Sequence, residues 1–183
     1  MKQNRSVVRT KKGIRKAFIE LLGEKKNIDK ISVMELTERV GIVRSTFYSH
    51  YKDISSVARE IQTEMLDYID SILDDYIKSD NRDVSIPIKK MYLYFEEHKV
   101  DHRELFGARY GESQIIGELK DSLAMRLYEK YPFTQLEFFN NDKKFESKFY
   151  ASIFIGLIEP FLNDEYTLDE IVQFTIKLIN KLR

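Results

Sequence analysis

Punctuation is scarce in this chain. Seven Gly and three Pro serve 183 residues, too little turn chemistry for an all-β fold, so long helices are favoured. Hydrophobic residues make up 43% of the sequence, enough to bury a real core and to argue against disorder. The length allows one ordinary domain, or a small one joined to a larger one. The absence of Cys excludes a disulfide scaffold, a thiolate metal site and a Cys nucleophile. The opening stretch MKQNRSVVRTKK has no apolar h-region of a secretory signal. The most apolar stretch, residues 150–162, is 13 residues long, contains Pro160 and is too short to span a bilayer. A cytoplasmic location is expected.

Apolar periodicity predicts a first helix over residues 6–24, where Ile14, Ala17, Phe18, Leu21 and Leu22 share one face. A loop over 25–31 follows. Ser32 and Glu35 then form a capping-box pattern, with Ile31 at the staple position before it. The helix they open is short, because Gly41 follows Val40 as a C-cap signal. A second short helix is predicted over 44–51. Two short helices joined through a Gly turn form a helix-turn-helix. Asp53 is the expected N-cap of a long helix running to about Ile77, with Val57, Ile61, Met65, Tyr68 or Ile69, and Ile72 to Leu73 on its apolar stripe. Beyond it, a polar loop spans residues 79–85 and a helix is predicted over 86–99. Asp101 and Glu104 show a second capping-box pattern, opening a short helix that ends near Gly107 to Gly111. Helices are predicted over 113–131, 143–162 and 167–182, with loops at Asn140-Asn141-Asp142 and Asn163-Asp164-Glu165. The expected fold class is therefore all-α with about nine helices: a three-helix domain over 1–53 and a helical bundle over 54–183.

Charge divides along the same line. Basic and acidic residues number thirty each, giving zero net charge. Residues 1–60 hold 14 basic and 7 acidic side chains, a net of +7, and the remaining 123 residues carry −7. Such asymmetry points to an interaction tail or a nucleic-acid face. A helix-turn-helix lays its second helix in the major groove. Arg44, Ser45 and Thr46 stand at the end of that helix that approaches base edges. Arg can pair bidentately with guanine, a contact worth about 1–3 kcal/mol of discrimination, and a Thr methyl can meet a thymine methyl. Tyr48, His50 and Lys52 offer donors to phosphates, and Ser32 with the first N–H groups of its helix can hold another. Lys2, Arg5, Arg9, Lys11 and Lys12 form a basic arm that adds affinity through counterion release. Phe47 is expected to face away from this surface, toward Leu36 and Val40. The alternative is a small three-helix domain with a solvated, Lys-rich face.

The stretch from Ile31 through Gly41-Ile42-Val43-Arg44-Ser45-Thr46-Phe47-Tyr48-Ser49-His50-Tyr51-Lys52-Asp53 closely resembles the DNA-binding domain of the tetracycline-repressor (TetR/AcrR) family. The Thr-Phe-Tyr-x-His core at residues 46–50 is its most specific part. The resemblance implies DNA contacts at Thr46, Tyr48, His50 and Lys52. Val43 stands where the family usually has Ser or another small polar residue, so a cap or phosphate contact is missing. Ser45 replaces a common Gly and can add a contact. The resemblance further implies a C-terminal effector-binding and dimerisation domain. There it rests on helix count and on Gly156-Leu157-Ile158-x-x-Phe161-Leu162, similar to a Gly-Leu-x-x-x-Trp-Leu pattern of the family. Residues 94–98 with Leu105 and Phe106 also resemble a branch common in Gram-positive bacteria.

Nineteen of the 23 Phe and Tyr lie after residue 60. They read either as helical core or, in part, as the lining of an apolar pocket between helices. Tyr92, Phe95, Phe106, Tyr110 and Phe154 are the pocket candidates. In the last two helices, Phe149, Ile153, Gly156, Leu157, Pro160, Ile171, Thr175 and Leu178 are either intramolecular core or, as the resemblance implies, a homodimer interface. A dimer would set two recognition helices about 34–36 Å apart, or a multiple of that, on a near-palindromic operator. His98 and His102 have i, i+4 spacing, but a cap at Asp101 would break the helix between them, so no metal is expected. No catalytic constellation or cofactor motif is present. The expected function is a DNA-binding transcriptional regulator, a repressor released by a small-molecule effector. A bundle enzyme and a protein-binding adaptor are the competing readings.

Overall fold

The computed structural model describes residues 5–79, 83–110, 113–130 and 142–182. Among these residues there are nine α-helices, one 3₁₀ turn and one two-residue β-ladder. The expected all-α class holds. The elements divide into two compact units, Met1–Thr63 with Glu104–Ile115, and Glu64–Arg103 with Ile116–Arg183. The division falls inside α4, between Thr63 and Glu64. Residues 54–63 and the segment 104–115 belong with the first unit, because the first turns of α4 supply part of its apolar core.

In the first unit, α1 (Arg5–Lys25) buries Ile14, Ala17, Phe18, Leu21 and Leu22, the face that the periodicity identifies. Lys26 takes a positive φ of 54° just past its end and is followed by a 3₁₀ turn (Ile28–Lys30) capped by Asn27. Ser32 Oγ accepts from the Glu35 N–H at 3.2 Å and starts α2 (Val33–Val40). The Glu35 carboxylate pairs with Lys25 rather than reaching back to the cap. Gly13 on α1 allows a close approach to α2, since a Cβ there would stand 3.3 Å from Val40 Cγ1. Arg39 binds Glu24 through both guanidinium nitrogens, at 2.7 and 3.1 Å. Helix α3 covers Arg44–Tyr48 only, shorter than the expected 44–51. Asp53 precedes α4 (Ile54–Lys78), as its capping position requires. The segment 104–115 contributes the fully buried Leu105 and Ala108. In it β1 (Arg109–Tyr110) pairs antiparallel with β2 (Ser113–Gln114), Arg109 opposite Gln114. The Arg109 N–H also donates to the Lys26 carbonyl at 3.1 Å.

The second unit comprises the rest of α4, α5 (Ser85–Glu97), most of α6 (Lys99–Phe106), α7 (Ile115–Lys130), α8 (Lys143–Leu162) and α9 (Leu168–Leu182). Its core includes Met65, Ile69, Tyr92, Phe95, Leu119, Ala151, Ile158 and Phe161. Asp142 caps α8 by accepting from the Phe145 N–H at 2.9 Å. Thr167 and Glu170 cap α9 reciprocally, a full capping box. The Asp101 expectation is corrected: the break falls at His98 (φ −111°, ψ 23°), and Asp101 lies inside the first turn of α6. The predicted helix over 113–131 begins at Ile115, its first two residues being taken by β2. Asn140 and Asn141 of the expected loop lie outside the described residues.

Candidate functional site

Two backbone bonds turn the chain from α2 into α3. The Gly41 N–H donates to the Glu38 carbonyl at 3.2 Å, and the Ile42 N–H to the Thr37 carbonyl at 3.0 Å, the crossed pair of a Schellman motif. Gly41 adopts φ 74°, ψ 37°, a left-handed conformation that costs a side-chain-bearing residue about 1–2 kcal/mol. Helix α3 then starts at Val43 without any side-chain cap, as its apolar side chain dictates. Phe47 is fully buried and packs edge-to-face on Tyr48, 5.5 Å between ring centres, and on Tyr51 at 5.7 Å. With Phe47 inward, helical geometry turns Ser45 and Tyr48 away from it, and Arg44 at the start of the helix is exposed as well.

The resulting surface is polar and unspent. Ser32, Arg44, Ser45, Tyr48 and Lys52 are exposed, and Thr46 and His50 half-buried. Among the described residues no ion pair engages Arg44, Lys52, Arg5, Arg9 or Lys12. Ser32 Oγ accepts from its own helix, which leaves its hydroxyl hydrogen available to a phosphate. Lys11 departs from the expected arm: its ammonium binds Glu60 at 2.8 Å and lies 5.2 Å from the Tyr51 ring centre. Lys2 lies outside the described residues. Sequence reasoning treated Val43 only as a missing cap. The structure leaves it 66% exposed beside Arg44, on the same surface.

That surface is anchored at its far end by Asp53. Its Oδ1 accepts from the Ser56 N–H at 2.7 Å, the Ser56 and Ser55 hydroxyls at 2.6 and 2.8 Å, and Arg59 at 3.2 Å. The hydroxyls of Ser56 and Ser55 do most to favour the ionised carboxylate, lowering its pKa from 3.8 to about 2. A charged acceptor at the N-terminus of α4 also complements the helix dipole.

The second unit holds a cavity of about 160 Å³ between α4, α5, α7, α8 and α9. Of the five pocket candidates, Tyr92 and Phe154 line it. Phe95 does not; it is buried against His102 and Phe154, at ring distances of 5.0 and 6.0 Å. Phe106 and Tyr110 belong to the first unit. Tyr76, Tyr150 and Glu146 line the cavity and went unread. The signal was present in the helical spacing of residues 146, 150, 153 and 157. Tyr92 Oη lies 2.9 Å from Thr175 Oγ1, whose own hydrogen goes to the Ile171 carbonyl at 2.7 Å. Tyr92 is therefore the donor, and burial pushes its pKa up to about 12.

The residues proposed for self-association separate in the same way. Ile171 and Thr175 are 4% and 5% exposed, and Ile153 and Leu157 line the cavity. These four face the interior of their own unit, because α9 lies against α5 and α8. Phe149, Pro160 and Leu178 are half-buried. Gly156 is exposed, with open space where a Cβ would stand. Phe145 and Phe174, both more than half exposed, were not read. His98 and His102 lie 6.1 Å apart and pack on the Tyr94 ring. Among the described residues no group of three His, Asp or Glu could hold a metal ion, and no helix is long and apolar enough to cross a membrane.

No family model matches the chain. An uncharacterised HTH-type transcriptional regulator of Bacillus subtilis (strain 168), YxbF, is 34% identical over 70 residues. The match takes in 38% of this chain and spans only 18% of that relative. Among solved structures, the fatty acid degradation regulator FadR from Bacillus halodurans superposes with a TM-score of 0.64 at 15% identity, covering 97% of this chain and 96% of that one. A transcriptional regulator of the TetR/AcrR type from Aquifex aeolicus VF5 gives 0.60 at 16% identity, covering 95% and 99%. The chain shares their fold.

Proposed function

We propose, from the fold that this chain shares with TetR/AcrR-type regulators, that it is a sequence-specific DNA-binding regulator of transcription. The observation that carries this reading is the surface of α3: Arg44, Ser45 and Tyr48 are exposed beside a buried Phe47, and among the described residues no side-chain hydrogen bond or ion pair engages their polar groups. A surface serving only solubility needs charge, not this ordered set. In the major groove Arg44, Ser45 and Thr46 read base edges, and the exposed Val43 adds an apolar contact to a thymine methyl. Tyr48, His50, Lys52 and Ser32 hold phosphates, with Arg5, Arg9 and Lys12 adding electrostatic affinity.

The chain acts in the cytoplasm as a homodimer on a near-palindromic operator. The exposed face carrying Phe145, Gly156 and Phe174 is the surface for a second copy, in place of Ile171 and Thr175. A small molecule in the cavity of the second unit biases its conformation, and α4, which contributes to both units, passes the bias to the recognition helix. A ligand that favours the non-binding state releases the operator, making the protein a repressor.

The test is selection of DNA from a random pool, followed by binding of the selected site at two salt concentrations. A specific complex that weakens steeply with salt is expected. Tyr48→Ala weakens it on all sequences, and Arg44→Ala relaxes preference at one position, by about 1–3 kcal/mol. If no sequence is selected, the DNA-binding reading fails and the adaptor reading takes its place.

A further inference from the structure

Among the described residues, hydrocarbon and aromatic rings make up most of the wall of the second unit's cavity, and one carboxyl lies among them. Glu146 lines it while only 2% exposed, and its Oε1 has no hydrogen-bond partner. Among the described residues no Lys, Arg or His lines the cavity. Thr175 and Tyr92 satisfy each other, and neither of the other hydroxyl-bearing side chains in the wall, Tyr76 and Tyr150, bonds Glu146 Oε1. A carboxyl so placed is costly to retain, because burial without a partner forfeits its hydration. Burial alone raises its pKa.

The helix that carries Glu146 does not account for it. An acid in the first turn of α8 suits the helix dipole, but Asp142 already caps that end through the Phe145 N–H. An exposed acid in the first turn would serve the dipole without the cost of burial. Packing does not account for it either, since Leu or Met would fill the wall without stranding an oxygen. What remains is an unsatisfied buried acceptor on a residue that lines an apolar space large enough for a small organic molecule.

We propose that this cavity takes a hydrophobic amine. Its aromatic or alkyl body lies against Leu73, Met91, Leu123 and Phe154, and its protonated nitrogen donates to Glu146. The charge-assisted bond restores to the carboxylate what burial removed. A ligand bearing a carboxylate would instead place a second acid beside Glu146 with no cation to offset either. The inference rests on the reading of the second unit as the effector-binding one, and it names the chemical class of that effector.

The experiment is calorimetric titration of the full-length protein with three ligands of one shape: phenylbutylamine, phenylbutanol and phenylbutyrate. The amine is expected to bind about tenfold or more tighter than the alcohol, and the acid more weakly than both. Glu146→Gln is expected to bring the amine to the level of the alcohol while leaving alcohol binding unchanged, which also shows that the variant is folded. Leu157→Trp fills the cavity and is expected to abolish binding of all three. The proposal is overturned if the acid binds as tightly as the amine, if Glu146→Gln leaves the amine's advantage intact, or if none of the three binds. Operator binding is measured with and without the amine as a separate arm. If the amine binds through Glu146 and the operator complex is unaffected, the site stands and the effector-release reading fails.

Discussion

The Lys11 ammonium and the Glu60 carboxylate lie 2.8 Å apart and join α1 to α4. The other Glu60 oxygen accepts from the Tyr51 hydroxyl at 3.2 Å. One carboxylate thus ties the first helix and Tyr51, three residues past α3, to α4. Lys11 and Glu60 are each about one-third exposed, 37% and 33%, so solvent screens the pair. A double-mutant cycle with Lys11→Met and Glu60→Gln is expected to give a coupling of about 0.5–1 kcal/mol by denaturant unfolding. Zero coupling would show that the pair does not help to hold α1 on α4.

Asp53 makes stability depend on acid. Its folded pKa, about 2, lies below the ordinary value of 3.8. The folded state therefore binds this proton less readily than the unfolded chain. The associated stability is fully present above the ordinary value and is lost as pH falls from there toward about 2. Asp53→Ala is expected to cost about 1 kcal/mol near neutral pH, the usual worth of an N-cap. Its melting temperature should fall less than that of the native protein between those two pH values. Parallel curves would sink the assignment.

Gly41 sets the angle between α2 and α3 through its positive φ of 74°. Space for a methyl group is open there, so Gly41→Ala tests conformation alone. The substitution is expected to destabilise the protein by about 1–2 kcal/mol. Gly41→Asn, which tolerates the left-handed region, should cost less. Equal losses for Ala and Asn would mean that the turn conformation is not what the position requires.

Thr175 and Phe174 are neighbours on α9 with opposite roles. Thr175→Val strands the Tyr92 hydroxyl in the core and is expected to cost about 1–3 kcal/mol of stability without changing oligomeric state. Phe174→Asp, on a side chain 55% exposed, is expected to spare the protomer and convert a dimer to a monomer in sedimentation. A monomeric native protein, or a Phe174→Asp dimer of unchanged affinity, would remove this face from the proposed interface.

The features legible in the sequence are those fixed within a few residues. Ser32 caps α2, Gly41 ends it and Asp53 opens α4, because a cap needs only its own side chain and the next turn. The bounds of α8, Lys143–Leu162, were readable for the same reason. The apolar face of α1 was readable because that helix has only one. These local rules also turned Phe47 inward, and with it the polar face of α3 outward.

Tertiary structure decided what apolar pattern leaves ambiguous. Helix α8 is apolar on more than one side and α9 carries one broad apolar face, so spacing could not say which of these side chains meet their own unit. Packing against α5 took Ile171 and Thr175 inward and left Phe174 outside. The same packing enclosed the cavity, admitted Tyr92 and Phe154 to its wall and excluded Phe95. It also buried Glu146 in that wall, where an isolated helix would have left it in water. The sequence determined the helix ends that carry a local signal, at Ser32, Gly41 and Asp53, because those hydrogen bonds close within a turn. The fold alone determined which side chains share a cavity, because burial depends on partners distant in the chain.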